Sequence, residues 1–232
     1  MIGLFDSGRG GHNTLLHLRS LYPKEDIVLL TDRKNSPYGT KSEDELVKIT
    51  RENISTLLAL GVRKVLIGCC TASGVWQRNA HKMGLDTDKV EGIITHTVSE
   101  AERWSNSGRM AVIATEASIH SHSFPAVCRS SQVFELATQP LVALIDEGLS
   151  DRNIQGGDKA RIEKLLSPLK ECGADVLILG CTHFGALIES IRDIVGPMGI
   201  LKVIDSARSG AGGLRTHLPP LRENGITYYI NT

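Results

Sequence analysis

Two stretches decide the fold: KVLIGCCTAS, residues 64–73, and VLILGCTHFG, residues 176–185. Each is a continuous apolar run that ends in cysteine. An apolar run without alternation suits a parallel strand covered on both faces. Upstream of each lies a glycine that closes a helical pattern. Gly61 stands eight positions before Cys69, and Gly173 eight positions before Cys181. The two units are offset by 112 residues. IGLFDSG from Ile2 and AVIATEA from Ala111 repeat the plan at nearly the same offset, as short strands running into small polar residues. Such an internal repeat predicts two half-chains that each build a small α/β domain.

The strands expected are Ile2–Phe5, Ile27–Leu30, Val65–Gly68, Met110–Ala114, Val176–Leu179 and Leu201–Ile204. Amphipathic segments separate them. The clearest opens at SEDE, where Ser42 as N-cap and Glu45 three residues on form a capping box. Leu46, Ile49, Ile54, Leu57 and Leu58 follow at near-helical spacing, and Gly61 is the expected C-cap. Strand–helix alternation predicts doubly wound parallel sheets. The expected division is residues 1–94, then 95–205, with 206–232 returning to the first domain through a last strand in GITYYINT. VEGIITHTVSE, near residue 95, is the expected crossing point.

Composition narrows the function. Lys+Arg and Asp+Glu balance at 26 each, so no net field draws in nucleic acid or an anionic membrane. The hydrophobic fraction of 41% is enough to bury a core. No basic-then-apolar leader and no membrane-length apolar run are visible. Five cysteines, an odd count, point to reduced thiols in a cytoplasm.

In an open parallel sheet, ligands bind outside the carboxyl ends of the strands. A cysteine just past such an end in each domain is placed to face its counterpart across an interdomain cleft. The repeat selects Cys69 over its neighbour, because Cys70 aligns with Thr182. A thiolate on one face of a carbon acid and a thiol on the other make a two-base device: one removes the α-proton, the other delivers a proton opposite, and the product is the mirror image. A carboxylate also needs donors, and helix N-terminal amides and small hydroxyl residues in DSGRGG, CTAS and CTH supply them. A lone cysteine after a buried strand is ordinarily a small core hydrophobe, and Cys128 and Cys172, with no motif around them, are assigned to packing. The adjacent Cys69 and Cys70 lack the C-x₂₋₄-C spacing of a metal site, and a disulfide switch is a further alternative. GRGGHN from Gly8 has Asn13 where a dinucleotide fingerprint needs glycine. His12, His17, His81, His96, His120, His122 and His217 read as solvated or structural; His183 differs because it follows the second cysteine by two.

FDSGRGG (Phe5–Gly11), PYGT (Pro37–Thr40), CCTAS (Cys69–Ser73), ATEAS (Ala114–Ser118), ADVLILGCTH (Ala174–His183) and IDSA (Ile204–Ala207) run over nearly the whole chain. With them the sequence resembles the glutamate racemases of the cofactor-independent aspartate/glutamate racemase superfamily. The resemblance implies two α/β domains related by a pseudo-twofold, the second inserted in the first, with the active site between them. It implies Cys69 and Cys181 as the paired acid/base residues, assisted by Asp6 and His183. Ser7, Pro37, Tyr38, Gly39, Cys70, Thr71 and Thr182 would line the amino-acid pocket, with Thr115 and Ser118 from ATEAS beside them. The family's glutamate in a Leu-Val-Glu-x-Gly context falls on Asp146 of LIDEG, with Glu147 adjacent. No pyridoxal phosphate, other cofactor or metal is implied; a cytoplasmic homodimer acting on a small-molecule amino-acid substrate is, with D-glutamate supplied to peptidoglycan. The chain departs from the family at Cys70, which replaces an asparagine. FGA stands for Tyr-Pro-Leu, and THTVSE for a Val-Ile-Glu-Pro run. These departures keep two other readings open: a racemase of aspartate or a bulkier amino acid, and a non-catalytic binding or regulatory descendant.

Overall fold

The computed structural model describes residues 1–214 and 224–232; His217 lies outside the described residues. Among the described residues, nine strands form two sheets. They are β1 (Ile2–Asp6), β2 (Ile27–Thr31), β3 (Lys64–Ile67), β4 (Val90–Gly92), β5 (Arg109–Ala114), β6 (Gln132–Ala137), β7 (Val176–Gly180), β8 (Lys202–Asp205) and β9 (Thr227–Asn231). The first sheet has the order β4-β3-β1-β2-β9 and the second β6-β5-β7-β8. Every pairing is parallel. Placed end to end, β4-β3-β1-β2 corresponds to β8-β7-β5-β6, so the repeat seen at the two cysteines extends through four strands. The 112-residue offset recurs between the starts of β3 and β7 and again between those of β4 and β8.

Among the described residues, nine α-helices connect and cover the strands: α1 (Gly10–Leu21), α2 (Glu43–Ala59), α3 (Cys70–Met83), α4 (Ile93–Trp104), α5 (Glu116–His120), α6 (Gln139–Asp146), α7 (Gly156–Leu166), α8 (Ile188–Val195) and α9 (Ser206–Gly213). The continuous apolar runs are divided by residue parity between two faces, as buried parallel strands require. In the first sheet, Phe5, Val28, Leu30, Val65 and Ile67 pack with Leu46, Ile54 and Leu57 of α2. Ile2, Leu4, Ile27, Leu29 and Leu66 pack on the other face with Leu15 and Leu18 of α1. In the second sheet, Ala111, Ile113, Leu177, Leu179 and Val203 meet α6, α7 and α8. Met110, Val112, Val176, Ile178 and Ile204 meet Ile93, Ile94, Val98 and Ala101 of α4. The VEGIITHTVSE segment is therefore where the chain crosses: β4 ends the first sheet and α4 covers the second.

Local chemistry accounts for the joints. Ser42 and Glu45 make the expected reciprocal capping box on α2. That helix ends at Ala59, one residue short of the cap expected at Gly61, which stands just beyond with φ +77°. The strand expected at Leu201–Ile204 is shifted by one residue, to Lys202–Asp205. Two strands carried no recognised signal. β4 is only three residues long, and β6 is an edge strand of mixed polarity, QVFELA. α9 forms from SARSGAGG, a composition with low helix propensity. Asp205 caps it by accepting from the Ala207 amide. Its glycines let neighbours close in: a Cβ on Gly210 would fall 2.7 Å from Ile93 of α4.

Candidate functional site

Parallel registration brings the carboxyl ends of the central strands level. Asp6 ends β1 and Ser7 follows it, while the Gly68 amide after β3 donates to the Phe5 carbonyl at 2.8 Å. In the second sheet Ala114 pairs with Gly180, which puts Thr115 beside Cys181. The two strand ends face one cleft, lined by Ser7, Cys69, Thr71, Thr115, Cys181 and Thr182 among others. Cys69 is the N-cap residue of α3, and Ser7 Oγ donates to its Sγ at 3.3 Å. Cys181 begins the turn after β7, with His183 Nδ1 3.5 Å from its Sγ. His183 Nε2 lies 3.3 Å from Asp146 Oδ1. A thiol, an imidazole and a carboxylate thus stand in series. Glu147, beside Asp146, is exposed and does not line the cleft.

Asp6 is fully buried, accepting from the Gly8 amide at 3.0 Å and from Thr182 Oγ1 at 3.2 Å. That second bond joins the two halves of the site. Thr71, Thr115 and Ser118 form a buried hydroxyl cluster, with Oγ separations of 3.1, 3.4 and 3.0 Å. Thr71 and Thr115 line the cleft; Ser118 stands behind them. Pro37, Tyr38 and Gly39 form one wall, but the Tyr38 hydroxyl is turned away and donates to Asp32 at 2.6 Å. Tyr38 therefore offers the cleft its ring. The anchor is a buried network in which Asn53 Nδ2 donates to both Asp32 and the Tyr38 hydroxyl; sequence reading gave no sign of Asp32 or Asn53. Cys70 lines the cleft from an apolar setting, packed with Ile93, Met110, Ala114 and Phe124 under the second sheet. Cleft residues that sequence reading missed include Gln139 and Val142. With Asp146 they lie on one face of α6, a spacing visible in QPLVALID but without a motif to single it out. Among the described residues, no group of three or more His, Cys, Asp and Glu side chains is arranged to hold a metal ion.

The sequence profile of the Asp/Glu/Hydantoin racemase family matches residues 19–212. The chain belongs to this racemase family. A glutamate racemase of Desulforudis audaxviator is 35% identical over 208 residues, 86% of this chain and 73% of its own length. A crystal structure of a glutamate racemase isoform from Bacillus anthracis superposes with a TM-score of 0.89 at 26% identity, covering 100% of this chain and 88% of that one. The glutamate racemase of Francisella tularensis, solved in complex with D-glutamate, gives 0.84 at 27% identity and covers 100% and 87% of the two chains.

A racemase must remove a proton from one face of a carbon and replace it from the other. In this one, burial keeps both thiols protonated before substrate arrives. It pushes Cys69 up to about 11, with the Asp6 charge adding to it and Ser7 and the Ala72 and Thr71 amides of the α3 N-terminus opposing. Cys181 is pushed up more strongly by burial, opposed by the His183 amide and reinforced by the charges of Cys69, Asp6 and Asp146. Burial also raises Asp6 itself, against the pull of His183. A substrate ammonium entering this racemase cleft brings the positive charge that favours thiolate formation.

Proposed function

We propose that this chain interconverts L- and D-glutamate by a two-base mechanism in which Cys69 and Cys181 exchange protons with the α-carbon. The observation that carries this reading is the placement of the two thiols at matched strand ends lining one cleft. One sulfur, as thiolate, takes the α-proton and becomes a thiol. The electron pair passes into the carboxylate system, and the other thiol gives its proton to the opposite face and becomes the thiolate. Each turnover exchanges the two protonation states, and the reverse reaction uses the same pair. His183, backed by Asp146, orients Cys181 and accepts its proton. Asp6 acts on both sulfurs through its charge. Ser7, Thr71 and Thr182 supply hydrogen-bonding hydroxyls for the amino-acid head, and Pro37, Tyr38, Gly39, Cys70 and Thr115 shape the wall; Ser118 holds Thr71 and Thr115 in place.

The division into residues 1–94 with 206–232, and 95–205, is part of the same proposal, supported by the sheet that each strand joins. So are a homodimeric state, a cytoplasmic location and a role in supplying D-glutamate for peptidoglycan. Among the described residues no helix is long and apolar enough to cross a membrane. The test is circular dichroism of purified protein given a panel of single L-amino acids without added cofactor. Loss of signal with glutamate ahead of aspartate and bulkier substrates is expected. Silence across the panel would favour a binding protein.

A further inference from the structure

Most polar side chains of the cleft already have partners inside the protein. Ser7 donates to Cys69, Thr182 to Asp6, and Thr71 and Thr115 bond each other and Ser118. His183 faces Cys181 and Asp146. Gln139, the first residue of α6, differs. Its Oε1 is shielded from solvent and has no hydrogen-bond partner, although the side chain lines the cleft. It lies so close to the Pro37–Gly39 wall that a Cβ on Gly39 would come within 2.6 Å of it. A buried polar atom left unpaired is costly. A carboxamide that no protein group fixes is also free to present either its oxygen or its NH₂ to a ligand.

The position of Gln139 indicates which ligand group it meets. The α-ammonium and α-carboxylate are bonded to the reacting carbon, so their partners must sit beside the sulfurs. Ser7 touches Cys69 directly, Asp6 and Thr182 flank Cys181, and Thr71 is two residues from Cys69. Gln139 bonds none of these groups and stands instead against Gly39 and near Thr115, on the Pro37–Gly39 wall, a place suited to the far end of an amino-acid side chain. No Lys or Arg is among the described residues lining the cleft. A side-chain carboxylate bound there must be held by neutral donors. We propose that Gln139 is a specificity-determining residue whose carboxamide NH₂ donates to the side-chain carboxylate of the substrate.

This inference rests on the glutamate racemase reading, and the test separates the two. Racemisation of glutamate is measured for the wild type, Gln139→Met, which keeps the length without the amide, and Gln139→Glu, which keeps the shape with a negative charge. Losing a hydrogen bond to a charged group should raise KM by about 10-fold or more in Gln139→Met, and further in Gln139→Glu, with kcat within about threefold. Glutamine matches glutamate in shape but carries donors at its end. It should compete about 10-fold better against Gln139→Glu than against wild type. Unchanged KM in both variants, kcat losses at constant KM, or no gain for glutamine would overturn the assignment while the racemase reading stands. A wild type that does not racemise glutamate would overturn both.

Discussion

Cys69 and Cys181 each serve one face of the carbon, so Cys69→Ser and Cys181→Ser should each lower racemisation in both directions by at least the 10²- to 10⁴-fold typical of a lost acid or base. Near-wild-type turnover of Cys69→Ser would sink the two-thiol mechanism. Burial at Cys69 also sets a pH dependence. The folded thiol is pushed up to about 11, whereas the unfolded chain ionises it near its ordinary value of 9.0. Between those values the unfolded state has released a proton that the folded state retains, so stability falls as pH rises through the interval. The contribution is whole below about pH 9 and lost as pH passes about 11, roughly 2–3 kcal/mol in all. Cys69→Ser has no thiol to titrate, and urea unfolding at about pH 8.5 and about pH 10.5 should show a smaller alkaline loss for it than for wild type. Equal losses would show that burial does not hold the thiol neutral. The two cysteines were legible because a repeat marked them. Gln139 was not, because an unpaired amide is a property of its surroundings and leaves no spacing in the chain. The turn of the Tyr38 hydroxyl toward Asp32 was hidden for the same reason.

Among elements, the joint between α1 and the turn after β7 carries the most chemistry. A Cβ on Gly10 would lie 2.1 Å from Thr182 Oγ1, the group that donates to Asp6. Gly10→Ala should therefore cost about 1–3 kcal/mol of stability through overpacking and lower kcat as well. Gly61 offers the contrast. Its φ of +77° strains an alanine, but a Cβ there meets nothing within 4 Å. Gly61→Ala should cost about 1–2 kcal/mol from the backbone alone and leave kcat unchanged. Thermal unfolding and glutamate kinetics of the pair check both; a Gly10→Ala enzyme of full activity would separate this joint from catalysis. The central strands were readable because burial on both faces demands continuous apolar residues. β6 was not: as an edge strand it mixes Gln132 and Glu135 with apolar residues and has no residue buried outright. β4 was within reach, since the 112-residue offset applied backwards from the run at Leu201–Ile204 lands on Lys89–Gly92.

At the scale of the molecule, β9 closes the first sheet on the outer edge of β2, whose five residues are all buried. It also reaches toward the site, because Thr232 Oγ1 donates to Asp32, the residue that holds the Tyr38 hydroxyl. A chain lacking residues 224–232 should lose solubility and thermal stability, and any soluble fraction should bind glutamate more weakly. Solubility, melting temperature and KM all unchanged would contradict this. The pairing of β9 with β2 also has a temporal consequence. The second sheet is drawn from one uninterrupted stretch, Arg109–Asp205, which leaves the ribosome before any of β9. During synthesis Cys181 can be seated in a finished sheet while the sheet beneath Cys69 still has an open edge. Until β9 is added to β2, the first sheet keeps an open edge beside Asp32, so the wall that Tyr38 gives the cleft is secured later than the seat of Cys181.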